Sequence, residues 1–103
     1  MIKVAVELDQ GRITYLKVKG HAEYDEYGKD LVCAGVSSIM FGLMNAIDMT
    51  KEDAVIKDDG NQIEIINNAD DFKIDAYLEL AVIQLKTIEE SYSQYLMIDE
   101  RRK

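Results

Sequence analysis

His21 and Cys33 are the sole histidine and the sole cysteine of this 103-residue chain, and together they could perform nucleophilic acyl chemistry. An imidazole titrates near neutral pH and can take a proton, and a thiolate is a strong nucleophile toward a carbonyl. One cysteine permits no internal disulfide and leaves the usual structural zinc clusters without their ligands. A metal set of His21, Glu23, Asp25 and Cys33 would be mixed, carried on one connection and without a second His or Cys, which suits zinc poorly. No metal or cofactor is implied.

The elements around these two residues determine whether they meet. Ile2, Val4, Val6 and Leu8 alternate with polar residues, Asp9-Gln10-Gly11 supplies turn chemistry, and Ile13 to Lys19 resumes the alternation. This is a β-hairpin whose second strand ends at Gly20. From Leu31 to Ile47 the residues Val32, Val36, Ile39, Leu43 and Ile47 recur at helical spacing, with Asp30 standing where an N-cap belongs. His21 then follows a strand end and Cys33 is the third helical residue. Backbone N–H groups at a helix start carry partial positive charge and favour a thiolate. A lone cysteine set among Val32, Ala34 and Val36 is, by residue type alone, more often an inert buried side chain than a nucleophile.

The connection from Gly20 to Asp30 is longer than usual between packed elements, and Gly20 and Gly28 bracket it, a pattern that suits a loop able to close over an extended peptide. Asp30 has two readings, helix cap or orienter of His21. Ser37 lies one turn beyond Cys33 on the same helical face, where its hydroxyl either touches substrate or bonds back to a carbonyl of its own helix. Glu23, Asp25, Glu26 and Asp30 outweigh Lys29 here, so the connection would attract a cationic polypeptide.

Downstream, Ala54-Val55-Ile56 and Ile63-Glu64-Ile65 flank Asp58-Asp59-Gly60-Asn61 and predict a second hairpin. Tyr77, Ala81, Leu85, Ile88 and Tyr92 form the stripe of a long second helix, widened by Leu78, Val82 and Ile83. Leu96 and Ile98 suggest a last short strand before a basic tail, Arg101-Arg102-Lys103. The order is ββαββαβ, an α+β fold with a mainly antiparallel sheet and two helices in two layers, forming a single domain over residues 1–103. So broad an apolar stripe exceeds what one sheet face covers, so a homodimer is expected.

Composition narrows the function classes further. Twelve Lys and Arg face twenty Asp and Glu, a formal net charge of −8, which argues against direct binding of nucleic acid through phosphate neutralisation. Leu31 to Ile47 has no charged residue, close to the minimum for a membrane span, but its Gly, Ser and Asn content and lack of flanking anchors favour a buried helix. The alternating N-terminus lacks a secretion-signal core, so a cytoplasmic protein is expected.

Gly20-His21-Ala22 followed by Tyr27-Gly28-Lys29-Asp30-Leu31-Val32-Cys33-Ala34-Gly35-Val36-Ser37 resembles the signature of the ribosomal-processing cysteine protease family. The resemblance extends to Phe41-Gly42, Asn45-Ala46 and Thr87-Ile88-Glu89-Glu90 and spans nearly the whole chain. It implies that His21 and Cys33 form a catalytic dyad acting through an acyl-enzyme. It also implies that the substrate is the N-terminal extension of a large-subunit ribosomal protein precursor, number twenty-seven. The oxyanion would then be met by N–H groups near Cys33 and Ala34 at the helix start. The competing reading is a non-catalytic acidic module that holds a basic ribosomal or assembly partner.

Overall fold

The computed structural model describes residues 1–20 and 29–103, with the side chains of Lys29 and Asp30 set aside. The chain runs β1 (Ile2–Asp9), β2 (Arg12–Lys19), α1 (Lys29–Thr50), β3 (Ala54–Asp58), β4 (Gln62–Asn67), α2 (Phe72–Ser91) and β5 (Leu96–Arg102). The ββαββαβ order expected from the hydrophobic patterning is therefore the one observed. The strands form one five-stranded sheet in the order β3-β4-β2-β1-β5. Every pairing is antiparallel except β1 with β5, which is parallel.

Local chemistry explains each reversal. Gln10 and Gly11 both take positive φ, 53° and 81°, as a tight turn matching the twist of its strands requires. In the β3–β4 turn, Asp59 Oδ1 accepts from the N–H groups of Asn61 and Gln62 at 2.8 and 2.9 Å. Those two bonds hold the Asp59 carboxyl below its ordinary range. The Asp71 side chain caps α2 by accepting from the Lys73 N–H at 2.7 Å.

One irregularity sets the phase of β2. The register steps from Glu7↔Tyr15 to Leu8↔Ile13, so Thr14 is an extra residue and the strand bulges there. Ile13 and Leu16, three apart, are consequently both buried. Ile2, Val4 and Val6 of β1, Leu16 and Val18 of β2, Ile65 of β4 and Leu96 of β5 turn to one face. There they meet Val32, Val36, Met40, Leu43 and Ile47 of α1 and Ile74, Leu78, Ala81, Val82 and Leu85 of α2. Helix α1 is long and apolar enough to cross a bilayer by length and composition, and its inner stripe forms part of this core. The helices lie side by side, close enough that a Cβ on Gly35 would sit 3.2 Å from Ile88 Cδ1.

β5 is longer than the short strand expected, and Arg101 and Arg102 belong to it rather than to a tail. The reason is its parallel register along β1, in which Glu7 faces Arg101 and Leu8 faces Arg102. Glu89 Oε2 accepts from the Ile98 N–H at 2.6 Å, occupying a donor of this edge strand.

A polar latch ties the first hairpin to the start of α2. Arg12 Nε and Nη2 donate to the two carboxylate oxygens of Asp75, each at 3.0 Å, and Nη2 also donates to the Ala69 carbonyl at 2.7 Å. Buried Asn67 donates to the Ile13 carbonyl at 3.1 Å and to Asp75 Oδ1 at 3.0 Å, while its Oδ1 accepts from the Ala69 N–H at 3.2 Å. Asn67→Ala is expected to cost about 1–3 kcal/mol by stranding these groups, measurable by urea unfolding. The Arg12 guanidinium, followed by Asn67, holds the Asp75 carboxyl below its usual range, against the opposing effect of burial. A depressed folded pKa means the stabilisation is present above the unfolded carboxylate value and is lost as pH falls through the folded one. Asp75→Asn should therefore lose stability at pH 6 and lose less than the wild type on acidification to pH 2.5, as read by denaturant midpoints.

Candidate active site

Cys33 lies in α1, half-buried, and opens onto a cleft of about 380 Å³. Ile2 and Val18 form the sheet side of this cleft, Gly20 its strand-end corner, and Val36, Ser37, Met40 and Phe41 the continuation of the helical wall. The opposite wall is the β3–β4 turn, from Asp58 through Gly60, Asn61 and Gln62 to Ile63. The lining is apolar deep inside and polar at the rim, the usual character of a site that seats a side chain and orients a backbone.

Of the residues singled out from sequence, Gly20, Cys33 and Ser37 are brought together in this cleft. Ser37 is exposed one turn beyond Cys33, on the same wall. Ala34 is exposed and does not line the cleft. His21 and Gly28 lie outside the described residues, as does the side chain of Asp30. The acidic stretch Glu23 to Glu26 lies outside them too.

The helix start requires a correction. α1 already includes Lys29 and Asp30, so Asp30 is not its N-cap and Cys33 lies further along the helix than the third position. An aspartate suits the first turn through the helix dipole as well as it suits the cap through a hydrogen bond, so residue type alone does not separate the positions. With Lys29 and Asp30 already helical, the N–H groups of Cys33 and Ala34 are directed at the carbonyls of Lys29 and Asp30. They are therefore not the free donors for an oxyanion. Because the Cα–Cβ bond of a helical residue tilts toward the helix start, the sulfur of Cys33 leans in that direction.

Gly20 has a backbone no other residue would share at low cost. Its φ is +111°, and a Cβ there would stand 2.5 Å from the Met1 carbonyl oxygen. The hairpin wall was not anticipated from sequence, although Asp59-Gly60 marked the turn itself. Nothing local indicates that residues 58–63 face residue 33; the pairing of β4 with β2 carries them there. No cluster of His, Cys, Asp and Glu suited to a metal ion occurs among the described residues.

Comparison with known proteins converges with this geometry. The family model for cysteine protease Prp matches residues 1–97. The ribosomal processing cysteine protease Prp of Staphylococcus aureus is 36% identical over 106 aligned positions, covering 96% of this chain and 98% of that protein. Its Bacillus subtilis counterpart is 31% identical, covering 87% of both chains. Among solved structures, the essential ribosomal processing protease Prp from S. aureus in complex with a substrate peptide superposes with a TM-score of 0.88. That match is 31% identical and covers 98% of this chain and all of the other. The S. aureus protease with a covalently linked product peptide gives a TM-score of 0.86 at 34% identity, again over 98% of this chain and all of that one. These relatives set aside the reading of a non-catalytic module: the chain belongs to the ribosomal processing cysteine protease Prp family and is a cysteine protease.

Proposed function

We propose that this enzyme removes the N-terminal extension of a large-subunit ribosomal protein precursor, number twenty-seven, through a Cys33–His21 dyad and an acyl-enzyme. The observation that carries this reading is the placement of Cys33 on the wall of a peptide-sized cleft in a fold whose S. aureus relative is seen with a substrate peptide. His21 takes the Cys33 proton, and the thiolate adds to the scissile carbonyl. The N–H groups of the first helical turn stabilise the resulting oxyanion. Collapse of the tetrahedral adduct breaks the C–N bond, and the imidazolium returns its proton to the departing amine. Water, deprotonated by His21, then releases the acyl group and restores the thiol. Ser37 contacts the bound chain beside the nucleophile, and Asp30 orients His21.

Incubating the enzyme with the precursor protein and identifying the new termini by mass spectrometry tests the reaction and its substrate together. A single cut that separates the N-terminal extension from the mature chain is expected. An intact precursor, with an active thiol shown by alkylation, would redirect the search to another ribosomal substrate.

The protein is further proposed to act in the cytoplasm as a homodimer. Leu31, Phe41 and Met49 of α1 and Leu80 and Ile83 of α2 are exposed. Packing the helices side by side therefore leaves apolar surface on the outside of the helical layer. Light scattering should give twice the chain mass, and Leu80→Glu/Ile83→Glu should return it to the monomer value.

A further inference from the structure

The sheet face turned away from the helices separates charges that composition averages together. Reading across the strands, one row is Met97, Lys3, Lys19 and Gln62; the next is Asp99, Ala5, Lys17, Glu64 and Lys57; the third is Arg101, Glu7, Tyr15, Ile66 and Val55. The carboxylates of the second and third rows are partly engaged. Asp99 accepts from Arg101 Nε at 3.3 Å, and Glu64 accepts from the Tyr15 hydroxyl. Burial, then that hydrogen bond to Glu64, pushes the Tyr15 phenol up to about 12.

In the first row the nearby carboxylate is that of Asp59, which adjoins Gln62 and feels the Lys19 charge without forming an ion pair with it. Lys3 and Lys19 stand directly opposite each other on β1 and β2, and Lys17 lies on the same face one pair along. Among the described residues none of the three forms an ion pair, in a chain with twenty carboxylates. Like charges directly opposed in a ladder destabilise it, so the fold gains nothing from this arrangement. The three lysines surround a hollow of about 230 Å³ floored by Val4 and Ala5, with Asp99 the one carboxylate at its edge. A methyl group at position 5, where most outward positions carry long side chains, is what leaves the hollow open.

The patch also sits at the catalytic end of the sheet. Ile2 and Val18, which line the cleft on the core face, are the chain neighbours of Lys3 and of Lys17 and Lys19. We propose that Lys3, Lys17 and Lys19 form a docking surface for the phosphate backbone of RNA, and that it holds the protease on RNA-bearing ribosomal particles while the cleft works on their protein. RNA is the occupant favoured by charge complementarity, and its source as ribosomal particles rests on the function proposed above. The net charge of −8 limits affinity, but on this face the five cations Lys3, Lys17, Lys19, Lys57 and Arg101 outnumber the carboxylates Glu7, Glu64 and Asp99, with Asp59 at its rim. Contacts are to phosphate only, so binding is insensitive to base sequence.

The test is fluorescence anisotropy with a 3′-fluorescein 20-nucleotide RNA hairpin, comparing the wild type with Lys3→Gln/Lys17→Gln/Lys19→Gln. Wild-type binding is expected to weaken with salt, with a log–log slope of about −2.7 for three phosphates of a duplex stem. The triple variant should bind at least about tenfold more weakly, with a flatter slope. Cleavage of a short free peptide should be the same for both proteins, since these lysines lie across the sheet from the cleft. Equal RNA binding by both proteins, or none by the wild type at 50 mM KCl, overturns the proposal. Tighter binding of labelled polyglutamate than of RNA overturns it in favour of an acidic protein partner. If neither protein cuts the peptide while the RNA contrast holds, the proposed substrate is at fault and the docking surface stands.

Discussion

Cys33→Ala is expected to abolish cleavage of the precursor peptide, a fall on the order of 10⁴-fold, while leaving the fold intact. The substitution removes a half-buried sulfur from the wall of a cleft that is already open, so no cavity forms in the core and little packing is lost. Cys33→Ser should do nearly the same, because a hydroxyl in that position is far less nucleophilic than a thiolate. His21→Ala should fall by a comparable factor. The double variant should be no worse than either single one, since two groups that act as a unit are not additive. Single-turnover rates and circular dichroism on the four proteins check this. Substantial cleavage by Cys33→Ala would place the nucleophile elsewhere, and an additive double variant would separate His21 from the thiol chemistry.

Gly20→Ala is expected to be the most damaging single methyl group that can be added at this site. The backbone there has φ +111°, a region that L-residues avoid, and the new carbon would sit 2.5 Å from the Met1 carbonyl oxygen. Relief by a side-chain rotation is closed off, because the obstacle is backbone belonging to the chain leading into β1. The cost is roughly 3 kcal/mol, or a fall in thermal midpoint of more than about 10 °C for a domain of this size. Gly20 also forms a corner of the cleft, so relaxing the clash moves the strand end from which the connection to His21 departs. Activity at low temperature should fall more than the folded fraction does. A variant with the wild-type midpoint would show that the first strand yields easily. Gly60→Ala supplies a contrast: its φ is +87°, but a Cβ there meets nothing within 4 Å, so only the conformational cost applies.

The periodicities carried most of the architecture. Alternation in residues 2–8 and 13–19 and the 3.6-residue spacing of Val32, Val36, Leu43 and Ile47 are local consequences of burying one face of a strand or helix, and each element appears where they place it. Ends were less legible. Asp30 reads as a cap although it lies inside α1, because an aspartate suits an early helical position as well as a cap, and the parallel run of β5 along β1 extends a strand that its own residues mark only weakly. Likewise the bulge at Thr14, which returns Ile13 and Leu16 to the same face, depends on the partner strand and has no signature within β2.

The sequence by itself determined the candidate nucleophile, its place in the first half of a helix, the element order and the family, because each rests on residue type or short-range spacing. Only the tertiary structure decided that Cys33 faces the β3–β4 turn, that Gly20 is pressed against Met1, and that Lys3 and Lys19 stand opposed on the outer face of an acidic protein. Those are relations between segments far apart in the chain. They arise from strand order and register, which are selected by the joint burial of many side chains and are written in no single stretch of residues.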